Sequence, residues 1–186
     1  MVRRIAWRGS FVAAAVAAPV AAAEPAVDAG LVVGFPTALP TGLSRGVGGS
    51  ASFADGPARW GLRAAWVTAT ESTMTWEVTH SDLQLRALAG VEHVAGRGKL
   101  GLRVGGGGTL IHESRLRVQG ARAGLTGEDL ETSAWAMVPA ADVHAVIALG
   151  LGGPWQLSLA GGPSIALVDS EIAWSWNAQL GIGWSR

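Results

Sequence analysis

Cysteine is absent from all 186 residues. No disulfide framework therefore holds this fold, even in an oxidising compartment. Charge is scarce as well: 15% of residues are charged, against about 25% in an ordinary soluble domain. Beyond the N-terminus no apolar run approaches the ~20 residues that a membrane-spanning helix needs. Nor is there a basic excess. Setting aside Arg3, Arg4 and Arg8 turns 14 basic and 14 acidic residues into 11 and 14. A net charge near −3 leaves no electrostatic footprint for nucleic acid.

Glycine, by contrast, is abundant, at 27 of 186 residues, roughly twice its usual share and without collagen-like periodicity. Such a content suits tightly curved β-structure better than a helical core. The N-terminus reads as an export signal. Three arginines precede an apolar run from Phe11 to Ala23 that contains Pro19 and ends in Ala21-Ala22-Ala23 before Glu24. This is the pattern of a cleaved secretory peptide over residues 1–23. The 163 residues from 24 to 186 then form one domain.

That domain alternates with period two, as strands with two unlike faces do. Val27, Ala29, Leu31, Val33 and Phe35 open the series, and Trp60, Leu62, Ala64 and Trp66 continue it. Ile172, Trp174, Trp176, Ala178, Leu180, Ile182 and Trp184 close it. Eight such segments are separated by links that are short and long in turn. The short ones hold Asp55-Gly56-Pro57, Gly96-Arg97-Gly98 and Gly152-Gly153-Pro154, residues that tight turns favour. The longer ones are expected near 36–46, 68–79 and 113–132, with a compact 168–171 last. The pattern predicts an all-β, eight-stranded antiparallel up-and-down barrel with one plain and one elaborated end.

Tryptophan sharpens the expectation. Trp60, Trp155 and Trp184 fall near the plain end; Trp66, Trp76, Trp135, Trp174 and Trp176 fall toward the other. Indole favours both membrane–water interfaces, so two girdles and a lipid-facing apolar parity are expected. A soluble β-sandwich with a tryptophan core is the competing arrangement. It would leave a face of Gly, Ala and Ser to water.

The other parity then fills the lumen with Arg63, Arg86, Glu92, Arg103, Asp142, His144, Gln156, Asn177 and Gln179, and with Asp28 low on the first strand. Eight strands leave room for little beyond their own side chains, so these residues are expected to form a nearly neutral hydrogen-bonded plug. Asp142 and His144, two apart on one face, invite an acid–base or metal reading. Neither a matching second histidine nor a neighbouring nucleophile accompanies them, which favours a structural role. Gly105-Gly106-Gly107-Gly108 lacks the Lys-Ser/Thr and helix of a phosphate loop. It is expected to be a bent or bulged strand that makes room inside.

With these strands and Gln179-x-Gly181-x-x-Trp184 at the end, the chain resembles the small eight-stranded outer-membrane β-barrel family, of the OmpX and OmpA-transmembrane-domain kind. The resemblance covers nearly all of residues 24–186 and implies a Gram-negative-type outer membrane. The terminal element looks like the signal by which the barrel-assembly machinery recognises its clients. The family includes adhesins, envelope-stabilising proteins, narrow channels and a few lipid-modifying enzymes. Its lipid A deacylases carry a membrane-facing His-x-Ser pair with a carboxylate orienting the histidine, and His112-Glu113-Ser114 supplies that spacing. In the longest link Arg115, Arg117 and Arg122 precede Glu128, Asp129 and Glu131. These arginines are expected either to bind lipid phosphates or to pair with the acids of their own loop. The expected role is structural or surface-interacting, with a deacylase-like hydrolase and a narrow, porin-like channel as alternatives. No cofactor or metal is expected, and the partners implied are outer-membrane lipids around a monomer, with any extracellular ligand unidentified.

Overall fold

The computed structural model describes residues 24–36, 43–118 and 131–185. The expected signal segment therefore lies outside the described residues, as does Arg122. Eight strands follow one another in chain order: β1 (Glu24–Pro36), β2 (Ser44–Asp55), β3 (Ala58–Ser72), β4 (Trp76–Ala95), β5 (Gly98–Arg117), β6 (Glu131–Gly152), β7 (Trp155–Val168) and β8 (Glu171–Ser185). Each pairs antiparallel with its sequence neighbour, and β1 pairs with β8 from Ala26↔Ser185 to Pro36↔Ser175, which closes the ring. Closure leaves no free edge along the body of the sheet, the lasting solution for an all-β chain.

The tight turns follow from local chemistry. Gly56 and Gly96 take positive φ values of 57° and 60°, which glycine adopts without steric cost. At the β7–β8 turn Asp169 and Ser170 adopt φ of 48° and 71°, the left-handed pair that two-residue hairpins favour.

Parity decides the two faces. Val27, Leu31, Val47, Leu62, Trp66, Leu85, Leu102, Ile147, Leu159, Trp174, Trp176 and Ile182 all point outward and are exposed. Arg63, Arg86, Asp142, His144, Asn177 and Gln179 point inward and are buried. The small apolar part of the interior is Val32, Ala65 and Val67. Trp155 and Trp184 are cross-strand partners near the short turns, and Trp60 stacks on Phe53 there with ring centroids 5.0 Å apart.

Three expectations change. The third and fourth strands run further than their apolar pattern, so the link expected at 68–79 shrinks to 73–75 between β3 and β4. Outward side chains there switch from hydrophobic to hydroxyl at Thr68, Thr70, Thr79 and Ser81, which a pattern based on hydrophobicity stops short of, although threonine fits a strand well. The longest link likewise narrows, since β5 ends at Arg117 and β6 begins at Glu131. Trp76 lies at the long-link end but on the inward parity of β4, with the Arg117 guanidinium 4.6 Å from its ring centroid. It is held by a cation–π contact and is not a girdle residue.

The glycine run contains no bulge. Pairing continues without a shift from Leu85↔Gly108 to Leu88↔Gly105 and from Gly105↔Asp142 to Gly108↔Pro139. The register shift in β6 is at Gly150/Gly152. The glycines do make room: a Cβ on Gly105 would lie 2.2 Å from Asp142 Oδ1, whereas one on Gly106 meets nothing within 4 Å. Gly105→Val is therefore expected to destabilise the barrel by about 1–3 kcal/mol, the usual cost of overpacking. Gly106→Val should leave the midpoint unchanged or slightly raised, both read from urea unfolding followed by tryptophan fluorescence.

Candidate functional site

The lumen is the most densely built region of polar side chains. Toward the short turns, Arg59 donates to Glu92 at 2.7 Å. Lys99 and Arg103 approach the same carboxylate at 3.9 and 3.8 Å. Arg103 also reaches Asp28 at 4.0 Å, and Asp28 accepts from Ser50. Gln179 links this layer to the next: its amide donates to Asp28 at 3.0 Å and its carbonyl accepts from Arg63 at 3.4 Å. Above it, Arg63 donates to Asp142 Oδ2 at 3.3 Å. The Arg86 Nε lies 3.3 Å from that same oxygen, and Arg86 donates also to Thr109 at 2.9 Å and to the carbonyls of Leu85 and Gly108.

The chain Ser50–Asp28–Gln179–Arg63–Asp142–Arg86–Thr109 thus ties seven of the eight strands together through the lumen. Ser158 on β7 donates instead to the Gly181 carbonyl of β8. The enclosed space between Asp28, Arg63, Glu92, Arg103, His144 and Gln156 is about 30 Å³, room for about one water molecule.

Of the expected lumen residues, Arg63, Arg86, Glu92, Arg103, Asp142 and Gln179 share one set of contacts. Arg59 and Lys99 join it, so five cations face Asp28, Glu92 and Asp142. Asp82 stands on the same inward parity of β4 as Gln84 and Arg86, so the balance across these residues is five cations to four carboxylates. Arg59 and Lys99 sit four positions before an expected member of their own strand, Arg63 and Arg103, on the same parity. Extending the alternation to the turn would have found them. Asn177 and His144 are buried in the same interior, and among the described residues the His144 Nε2 has no hydrogen-bond partner. Arg63 and Arg86 both meet Asp142 at Oδ2, and among the described residues no hydrogen bond joins Asp142 to His144 as an acid–base pair would require. Among the described residues no group of His, Asp and Glu is placed to hold a metal ion.

At the long-link end the outward face is ordered in rows across the strands. Leu31, Val47, Trp66, Leu83, Leu110 and Met137 are successive cross-strand partners on β1 to β6. Two residues further along, the row reads Val33, Arg45, Thr68, Ser81, His112 and Trp135. The outward face thus changes from wholly apolar to mostly polar within one step.

Because the glycine run keeps its register, His112 and Ser114 do share the outward face. His112 stacks on Trp135, centroids 4.1 Å apart, and Ser114 lies opposite Thr79 and Ser133. Glu113 faces the other way, toward His80 at 3.5 Å and Arg115. No carboxylate contacts His112 among the described residues, so the third member of a hydrolytic set is missing from its place. Arg115 pairs with Glu113, two residues before it, and Arg117 lies over Trp76. Glu128 and Asp129 lie outside the described residues.

No family model and no curated relative matches the chain. Solved structures do. The attachment invasion locus protein Ail of Yersinia pestis superposes with a TM-score of 0.58 at 10% identity, covering 88% of this chain and 99% of that one. Neisserial surface protein A gives 0.55 at 12%, covering 86% and 96%. The outer membrane protein OprG of Pseudomonas aeruginosa gives 0.58 at 8%, covering 89% and 96%. The fold is that of the small eight-stranded outer-membrane barrels. At such identities the likeness extends to the backbone and to nothing finer.

Asp142 is the member on which the network's balance rests. Asp142→Asn should leave Arg63 and Arg86 buried without a counter-charge and cost about 3–5 kcal/mol, measured by urea unfolding. A loss below 1 kcal/mol would show that the two arginines find other partners.

Proposed function

We propose that the chain is an exported outer-membrane barrel whose lumen is plugged by its own charge-paired side chains, and whose elaborated end serves envelope support or surface interaction. The observation that carries this is the inversion of polarity. Large apolar side chains cover the outside from Val27 to Ile182 while seven strands send charged and amide groups inward. Soluble monomers rarely expose contiguous apolar patches beyond a few hundred Å², whereas a barrel in lipid requires such a belt. Strands of 12 to 22 residues exceed the ~9–11 needed to cross a bilayer at a tilt. In the expected export route the barrel-assembly machinery takes up the chain through Gln179, Gly181 and Trp184.

Surface interaction is favoured by the shape of the long-link end. β6 pairs with β7 from Ala140 onward, so residues 131–139 pair with β5 alone among the described residues and rise past the β7–β8 turn. Such an edge can accept a partner's strand. Neither of the other roles has equal support. A hydrolase at His112 and Ser114 lacks its orienting carboxylate among the described residues, and an open channel conflicts with the space of only about 30 Å³ left between Asp28, Arg63, Glu92, Arg103, His144 and Gln156.

The first test is separation of inner and outer membranes followed by gel mobility with and without boiling. Outer-membrane recovery with a boiling-dependent shift is expected. Recovery in the soluble periplasmic fraction without a shift would overturn the proposal. In planar bilayers the same preparation should show no solute-sized conductance.

A further inference from the structure

Among the described arginines near the long-link end, Arg45 is set apart. Arg115 is paired with Glu113 and Arg117 lies over Trp76. Arg45, the second residue of β2, is exposed and shares the outward parity of Val47. Its cross-strand neighbours are Val33 and Thr68, and among the described residues no carboxylate lies within ion-pair distance of it.

Directly below it the outward face is hollow. Ala29, Gly49 and Ala64 are successive cross-strand partners, and with so little side chain they form the floor of a groove of about 840 Å³. Leu31, Val47 and Trp66 wall it on the Arg45 side, and Leu180 closes it toward β8. Its size falls within the ~300–1,000 Å³ of small-molecule sites, but its lining is almost wholly apolar. The walls stand on the row adjoining the guanidinium, so one occupant can fill the groove and reach Arg45. That occupant must be apolar for most of its length and anionic at one end.

We propose that Arg45 and this groove form a binding site for an acylated phosphate lipid of the leaflet at the long-link end. The guanidinium meets the phosphate through two parallel N–H donors, and an acyl chain lies over Ala29, Gly49 and Ala64 beside Trp66. The indole belongs at that depth, where the membrane turns from apolar to polar. The site rests on the barrel lying in a membrane as proposed above.

The test uses the full chain in nanodiscs of phosphatidylcholine carrying a small fraction of phosphatidic acid with the same acyl chains. Lipid retained after mild detergent exchange is counted by native mass spectrometry. The protein is expected to retain phosphatidic acid over phosphatidylcholine. Arg45→Gln should lower that retention about tenfold, the weight of one charge-assisted contact, with Arg45→Lys intermediate. Ala64→Leu, which fills the groove and leaves Arg45 in place, should lower it as well. Equal retention by Arg45→Gln would overturn the site. Displacement by inorganic phosphate, or loss with Arg45→Gln but not with Ala64→Leu, would overturn the acyl groove in favour of simple anion binding. Each sample is also run with and without boiling. A missing mobility shift sinks the membrane barrel and this site together, whereas a normal shift with unselective retention sinks the site alone.

Discussion

Two guanidiniums converge on one carboxylate oxygen of Asp142, and the rest of the interior is arranged around that meeting. Arg63 and Arg86 are direct cross-strand partners on β3 and β4, a like-charge pairing that a sheet does not tolerate by itself. The counter-charge comes from β6, on which Asp142 projects into the same lumen. An open sheet would leave the two arginines repelling each other; closing the ring brings Asp142 to both. Gly105, its cross-strand partner on β5, has no side chain to occupy the space that the Asp142 carboxylate takes. Register is therefore held from both faces, because a slip of one residue would turn these charges outward and the hydrophobic belt inward.

The outer face obeys a separate constraint. One row of cross-strand partners is apolar from Leu31 to Met137, and the row two residues beyond it holds Arg45, Thr68, Ser81 and His112. The hydroxyls beyond it bond among themselves, Ser81 to Thr68 at 3.4 Å and Thr70 with Thr79 at 3.3 Å. Such groups suit an aqueous or headgroup environment, whereas the row below suits hydrocarbon. The same strands thus serve as membrane wall and as projecting sheet, and only the outward residue type changes along them.

This division explains which parts of the molecule could be read in advance. Alternation between large apolar and small or polar residues disclosed eight strands, the closed up-and-down order and both faces, because a half-exposed strand must alternate. It failed above the girdle, where Thr79 and Ser81 alternate with other polar residues and the period leaves no hydrophobic trace. It failed near the turns too, where Arg59 and Lys99 stand between a glycine- or proline-bearing turn and the first bulky outward residue. The glycine run was read as a bent or bulged strand that makes room; it makes room at Gly105, and its ladder carries no bulge. Glycine signals a missing side chain, and whether the ladder shifts there depends on both neighbouring strands.

The amino-acid order by itself determined that this chain forms strands with one apolar and one polar face, and how many, since period two and turn chemistry are local properties. It also determined that Arg63, Arg86, Glu92, Arg103 and Asp142 share the inward parity. Only the tertiary structure decided which charges meet. Ring closure and register bring Asp28 to Gln179, Gln179 to Arg63 and Arg63 to Asp142 across separations of 151, 116 and 79 residues. Closure and register likewise align Ala29, Gly49 and Ala64 from three strands beneath Arg45. No local pattern encodes such a row, because it exists only once the strands stand side by side.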